Sequence, residues 1–289
     1  MILSRLMVLS AVVFWGWSFV ATKIVLQFMT PLELAGMRMM LSLPMFLFLL
    51  YIKKIKISFS KSDYKLMAIG GVVLSAHFLV QITGLETASA TNTGWIIAVT
   101  PALIAILAVI FLKEKLSKLQ ITGIMAATGG IILLVSKGSF SNLSWVSSKG
   151  DWLILMSAFT WAIYTTLTRD ISRRHNPLAV TTVVISITSF IIISLMAKSA
   201  DWSRMRELSL EAIIALLFLG IVCQAIAFWF WQEGVAKLGA SRAGFFLYLE
   251  PLATTSLAVP YLNEKFGIYT LLGGLLLLFG VYLTEKRES

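Results

Sequence analysis

The sequence predicts an all-α integral membrane protein with ten transmembrane helices, arranged as two inverted five-helix repeats. Three observations carry this reading. The chain of 289 residues is 58% hydrophobic and only 13% charged, with a mean hydropathy of +0.88, whereas soluble domains carry roughly 25% charged residues. The apolar residues fall into ten runs near the roughly 20 residues a helix needs to cross a bilayer. Glycines and prolines recur in register between the two halves, the mark of an internal repeat.

The ten runs lie at about 6–26, 31–51, 64–85, 92–112, 119–135, 151–169, 177–196, 210–236, 241–262 and 268–283. They are continuous and lack the alternation of barrel strands, so helices are expected. The first run follows Arg5, lacks a small-x-small cleavage site and is followed at once by another span. It therefore reads as a transmembrane helix rather than a signal peptide.

A net charge of +10 and a pI near 9.8 would suit a nucleic-acid binder if the chain were soluble. The positions of the 24 Lys and Arg residues say otherwise. With the N-terminus inside, sixteen fall in cytoplasmic segments and six in outer segments, while Lys23 and Arg38 lie within spans. This bias follows the positive-inside rule with both termini cytoplasmic. The basic charge thus speaks of orientation and anionic lipid, and no nucleic-acid partner is expected. One cysteine, Cys223, and two histidines, His77 and His175, exclude an internal disulfide and leave little for a metal, so neither metal nor cofactor is expected. No H-E-x-x-H, G-x-S-x-G or P-loop motif occurs, which argues against an intramembrane hydrolase and an ATP-driven pump.

A shift of 146 pairs Trp15 with Trp161, Lys23 with Arg169 and Pro31 with Pro177. A shift of 150 pairs Gly70 with Gly220, Gly84 with Gly234, Gly94 with Gly244, Pro101 with Pro251, Glu114 with Glu264, Lys115 with Lys265, Gly123 with Gly273 and Gly130 with Gly280. The expected units are residues 1–137 and 150–289. Five helices is an odd number, so the second unit enters the membrane inverted, as in secondary transporters that bind ligand between their halves. Gly123, Ala126, Ala127 and Gly130 form one smooth helix face, and Gly273 and Gly280 keep two of those positions. Such faces are expected to pack closely.

The first half reads W-G-W-S-F-V-A-T-K over 15–23 and P-L-E-L-A-G-M-R over 31–38, followed by T-P-A at 100–102 and L-K-E-K at 112–115. With these motifs the chain resembles the drug/metabolite transporter superfamily, EamA type, along essentially its whole length. The resemblance implies ten helices in two units and export of small metabolites, often amino acids or their analogues, from a bacterial inner membrane. The second half departs from the first in having Val184 where the first has Arg38.

Ionisable groups within spans are functional candidates, because each costs roughly 2.5–3.5 kcal/mol at the bilayer centre. Lys23 lies near a helix end, where snorkelling accounts for it. Arg38, His77 and Glu250 lie deeper. Glu250 precedes Pro251, which weakens the helix where transporters build sites, and its counterpart at the 150 spacing is Thr100. Glu114 and Glu264 read as anchors at helix ends. One helical stripe holds Gly70, Leu74, His77, Gln81 and Gly84; its mate holds Gly220, Gln224, Ala227, Trp231 and Gly234. The aromatic residues at depth are Trp15, Trp17, Trp161 and Tyr164, with Tyr248 nearer a span end.

The expected substrate-binding set is Trp15, Trp17, Ser18, Arg38, His77, Gln81, Trp161, Tyr164, Gln224, Tyr248 and Glu250. Each also has a structural reading, as packing or interhelical hydrogen bonding. Arg38 and Glu250 either meet the carboxylate and amine of a zwitterion or pair with each other. The favoured function is a secondary exporter of amino acids or related amphiphiles. A non-transporting receptor or channel, and a broad drug or cation efflux carrier, are the alternatives. Monomer and homodimer are both compatible with the sequence.

Overall fold

The structure is a computed structural model that describes residues 2–136, 148–262 and 268–285. Among these residues every regular element is helical, with no strand. The helices are α1 (Ile2–Val25), α2 (Pro31–Ile52), α3 (Lys61–Thr87), α4 (Ala90–Ile97), α5 (Thr100–Leu112), α6 (Lys118–Ser136), α7 (Lys149–Arg174) and α8 (Pro177–Met196). They continue as α9 (Leu210–Leu217), a π-helical segment (Phe218–Ile226), α10 (Ala227–Leu238), α11 (Ala240–Phe245), a 3-10 turn (Phe246–Leu249), α12 (Glu250–Leu262) and α13 (Ile268–Glu285). Among the described residues, six stretches are long and apolar enough to cross a membrane: Ile2–Val25, Pro31–Ile52, Lys61–Thr87, Ala90–Leu112, Pro177–Met196 and Leu210–Leu238.

Local chemistry sets where the helices start. Thr30 and Glu33 form a capping box ahead of α2, with Pro31 at the first helical position. Ser148 and Asp151 repeat the arrangement for α7, and Asn176 caps α8 just before Pro177. Each cap satisfies N–H groups that have no partner within the helix. Gly239 adopts φ +94° in the turn from α10 to α11, a conformation that glycine reaches without a Cβ clash.

Three runs expected as single helices are interrupted. The run at 92–112 divides at Ala98–Val99, just before Thr100-Pro101, and the run at 241–262 passes through a 3-10 turn before Glu250-Pro251. Proline has no N–H for the carbonyl four residues back and crowds it, so the helix breaks at Ile97 and at Leu247. The Glu250 N–H donates to the Leu247 carbonyl in its place. The third interruption is the π-helical segment, in which the Ala227 N–H reaches back five residues to Val222.

Close helix contacts rest on glycine. A Cβ on Gly280 would lie 2.6 Å from the Gly123 carbonyl, and one on Gly130 would lie 2.7 Å from the Gly273 carbonyl. The small-residue faces expected on these helices therefore meet each other, α6 against α13. Gly84 and Gly150 play the same part between α3 and α7, and Gly16 between α1 and the first turn of α12. Lys23 does more than snorkel. Its ammonium donates to the carbonyls of Leu85 (2.9 Å), Glu86 (3.3 Å) and Ala88 (3.2 Å) at the end of α3, where the carbonyls lack helical partners and the helix dipole favours a cation. At the other end of α3, Asp63 pairs with Arg174 (2.9 Å) and His175 (3.1 Å), tying α3 to the α7–α8 turn.

The α6–α13 contact has a direct test. Gly280→Ala places its methyl 2.6 Å from backbone atoms of Gly123 and Ala127, and such overpacking costs about 1–3 kcal/mol. Gly129→Ala, 3.7 Å from Leu276, is the control and should stabilise by roughly 0.5–1 kcal/mol through the unfolded chain. Melting temperatures of the two variants in one detergent check both signs.

Candidate functional site

A narrow cavity with about 460 Å³ of atom-free space lies between α1, α2, α3, α7, α10 and the two broken helices. Its wall includes Trp15, Ser18, Arg38, His77, Gln81, Trp161 and Glu250, seven of the residues expected from sequence. Phe19, Phe78, Ile97, Thr100, Ser157, Ala158, Phe228 and Leu247 complete it.

The apolar wall is an aromatic cluster. Trp15 and Trp161 meet edge to face with ring centroids 4.9 Å apart, and Phe228 lies 5.4 Å from Trp15 and 5.3 Å from Trp161. Trp231 backs them at 5.4 Å from Trp15. The Trp15 indole N–H donates to the Cys223 carbonyl at 2.9 Å, and the Cys223 thiol donates to the Phe14 carbonyl at 3.3 Å. The π-helical turn leaves that carbonyl available, because the Ala227 N–H that an α-helix would direct to Cys223 goes to Val222 instead. π-Bulges are concentrated at functional sites, and this one seats the tryptophan that lines the cavity.

The polar wall holds two ionisable groups of opposite charge, each 4% exposed. Arg38 donates through Nη2 to Gln224 Oε1 at 3.2 Å and lies over the Phe78 ring, 5.1 Å from its centroid. Its Nε is buried without a partner. Glu250, at the start of α12, has no hydrogen-bonding or ionic partner for its carboxylate among the described residues. The two form no ion pair with each other, so both retain capacity for a ligand. His77 Nδ1 approaches the Ser157 carbonyl at 3.0 Å and Thr160 Oγ1 at 3.3 Å. A carbonyl only accepts, so Nδ1 carries the proton and, in the neutral ring, Nε2 is left as an acceptor. Such a wall has donors for an anion, an acceptor for a cation and aromatic faces for an apolar group.

Four expected residues stand outside the cavity wall. Tyr164 packs behind Trp161 at 5.3 Å. Gln224 acts through Arg38. Tyr248 belongs to the cluster of Phe245, Ala127 and Leu277 against α6 and α13. Trp17 turns away, donating to Ser256 Oγ at 3.2 Å and packing 6.5 Å from Phe14. Of the two end anchors, Glu114 accepts from the N–H groups of Ala240 and Ser241 and pairs with Arg169 at 3.2 Å; Glu264 lies outside the described residues. Two of the missed wall residues carried a sequence signal. Ile97 and Leu247 each lie four residues before a mid-run proline, the position whose carbonyl the proline abandons.

The chain and its fold have counterparts in known proteins. A protein of Archaeoglobus fulgidus named "Uncharacterized transporter" is 26% identical over 99% of this chain and 98% of its own. The Salmonella typhimurium protein named "Probable amino-acid metabolite efflux pump" is 24% identical over 95% of this chain and 92% of its own. A crystal structure at 17% identity matches with a TM-score of 0.77 over 98% of this chain and 95% of that one, which shows a shared fold. The sequence profile of the EamA-like transporter family matches residues 3–136 and again 148–285, and the chain belongs to that family of membrane transporters.

Proposed function

We propose that this protein is a secondary transporter that exports amino acids or related amphiphilic metabolites across the inner membrane by alternating access. The observation that carries the reading is the pairing, in one aromatic-walled cavity, of a guanidinium with spare donors and a carboxylate without a partner. Arg38 would receive the substrate carboxylate and Glu250 its amine, while Trp15, Trp161 and Phe228 would hold the side chain by apolar and cation–π contact. Ser18, His77 and Gln81 supply further polar groups. Gln224 and Tyr164 would hold Arg38 and Trp161 in place. Trp17 and Tyr248 would serve the helix packing around the site.

The architecture proposed for this work is ten spans in two inverted units, 1–137 and 150–289, with both termini cytoplasmic. The two separate matches to one family profile support the division. So do the breaks before Pro101 and Pro251, 150 residues apart, because transporters assemble sites from discontinuous helices at the interface of their repeats. Tags on both termini accessible from the same membrane face are expected; opposite faces would overturn the inverted arrangement.

Purified protein in liposomes should show saturable, exchangeable flux of one or more labelled amino acids. A charge-assisted hydrogen bond contributes about 1.5–3 kcal/mol, so Glu250→Gln and Arg38→Gln should each weaken transport roughly 10- to 100-fold without lowering the melting temperature. Unchanged flux in both variants would sink the reading. Because the two side chains form no ion pair, the charge-swapped double variant should stay inactive; rescue would mean that they pair. The aromatic wall around a lone carboxylate also suits an organic cation. In that case flux of lipophilic cations depends on Glu250 and survives Arg38→Gln.

A further inference from the structure

About two turns along α7 from Trp161, roughly 12 Å by helical rise, a second recess opens between the α5–α6 connection, the end of α7 and the α10–α11 turn. It is about 750 Å³ in extent and open to solvent. Its charged residues are Glu114, Lys115, Arg169, Arg173, Lys237 and Arg242, five cations against one carboxylate.

That carboxylate is already committed. Glu114 accepts from the N–H groups of Ala240 (3.1 Å) and Ser241 (3.2 Å) and pairs with Arg169 (3.2 Å). Lys237 is taken by Glu233 at 2.9 Å, one turn back on its own helix. Lys115, Arg173 and Arg242 have no carboxylate partner among the described residues. They come from three different elements and face one recess without a counter-ion. A second observation points the same way. Ser241 and Arg169 both line the recess, and the Ser241 hydroxyl and the Arg169 Nε are each buried with no hydrogen-bond partner. Buried polar atoms in native structures are almost always satisfied.

We propose that this recess is a binding site for a phosphate group, held by Lys115, Arg173 and Arg242 with Ser241 in the wall. Guanidinium groups match phosphate oxygens with paired donors, and three unpaired cations suit a phosphate better than a singly charged carboxylate. The source is either an anionic phospholipid headgroup, as basic pockets between membrane helices bind, or a soluble phosphate. The site is separate from the central cavity and stands whether or not the transport reading holds.

The test is thermal stability of the full chain purified in a neutral detergent. Phosphatidylglycerol is compared with phosphatidylcholine, and inorganic phosphate with chloride at equal ionic strength. A ligand that binds the folded state raises the melting temperature, here by an expected rise of about 3 °C or more. The variant K115Q/R173Q/R242Q should match wild type in phosphatidylcholine, since all three side chains are exposed, and should lose the rise. A rise with phosphatidylglycerol alone assigns the headgroup, and a rise with inorganic phosphate assigns a soluble phosphate. No rise with either, or a variant that responds as wild type does, overturns the proposal.

Discussion

A bilayer core offers no water to a peptide group, so every backbone donor and acceptor within it must find a partner in the protein. The rest of this molecule follows from that constraint. Its long helices are closed by side-chain caps at Thr30, Ser148 and Asn176 and by the Lys23 ammonium on the α3 carbonyls. Where proline breaks the helical ladder, the two breaks border the central cavity. Ile97, Thr100, Leu247 and Glu250 all belong to its wall.

Glycine then decides how closely these helices approach. Lipid tails are as apolar as leucine, so helices associate through van der Waals fit. At Gly16 the α1 backbone comes against the first turn of α12, with Thr254 Oγ1 donating to the Gly16 carbonyl at 3.0 Å. That contact holds Glu250 at the cavity wall, and Trp15, the residue before Gly16, lines the same cavity. The same helix docks on the π-helical segment through Trp15 and Cys223. One face of α1 thus sets the positions of both the aromatic wall and the acidic wall.

Much of the cavity was legible from composition and depth. Where charge is scarce, a buried Arg38 or Glu250 stands out, and mid-span tryptophans follow the same logic. Trp17 misled because depth says nothing of facing: two residues from Trp15 on a helix is about 200° of rotation, and it leaves the cavity for Ser256. Tyr248, nearer a span end, turns toward α6 and α13. Phe78 and Phe228 gave no signal of their own, because apolar aromatics in an apolar chain are indistinguishable until their neighbours are known.

By itself, the sequence determined the helical class, the six described stretches apolar enough to cross a membrane, the weakness of the helix before Pro251 and the glycines on two packing faces. All of these depend on local periodicity or on a residue's own backbone chemistry, which act within a few positions of the chain. The tertiary structure decided which faces turn inward, that Arg38 rests on Gln224 and Phe78 instead of pairing with Glu250, and that Lys115, Arg173 and Arg242 share a recess. Those facts are relations between residues up to some two hundred positions apart, and they arise when helices pack at distances that their glycines permit.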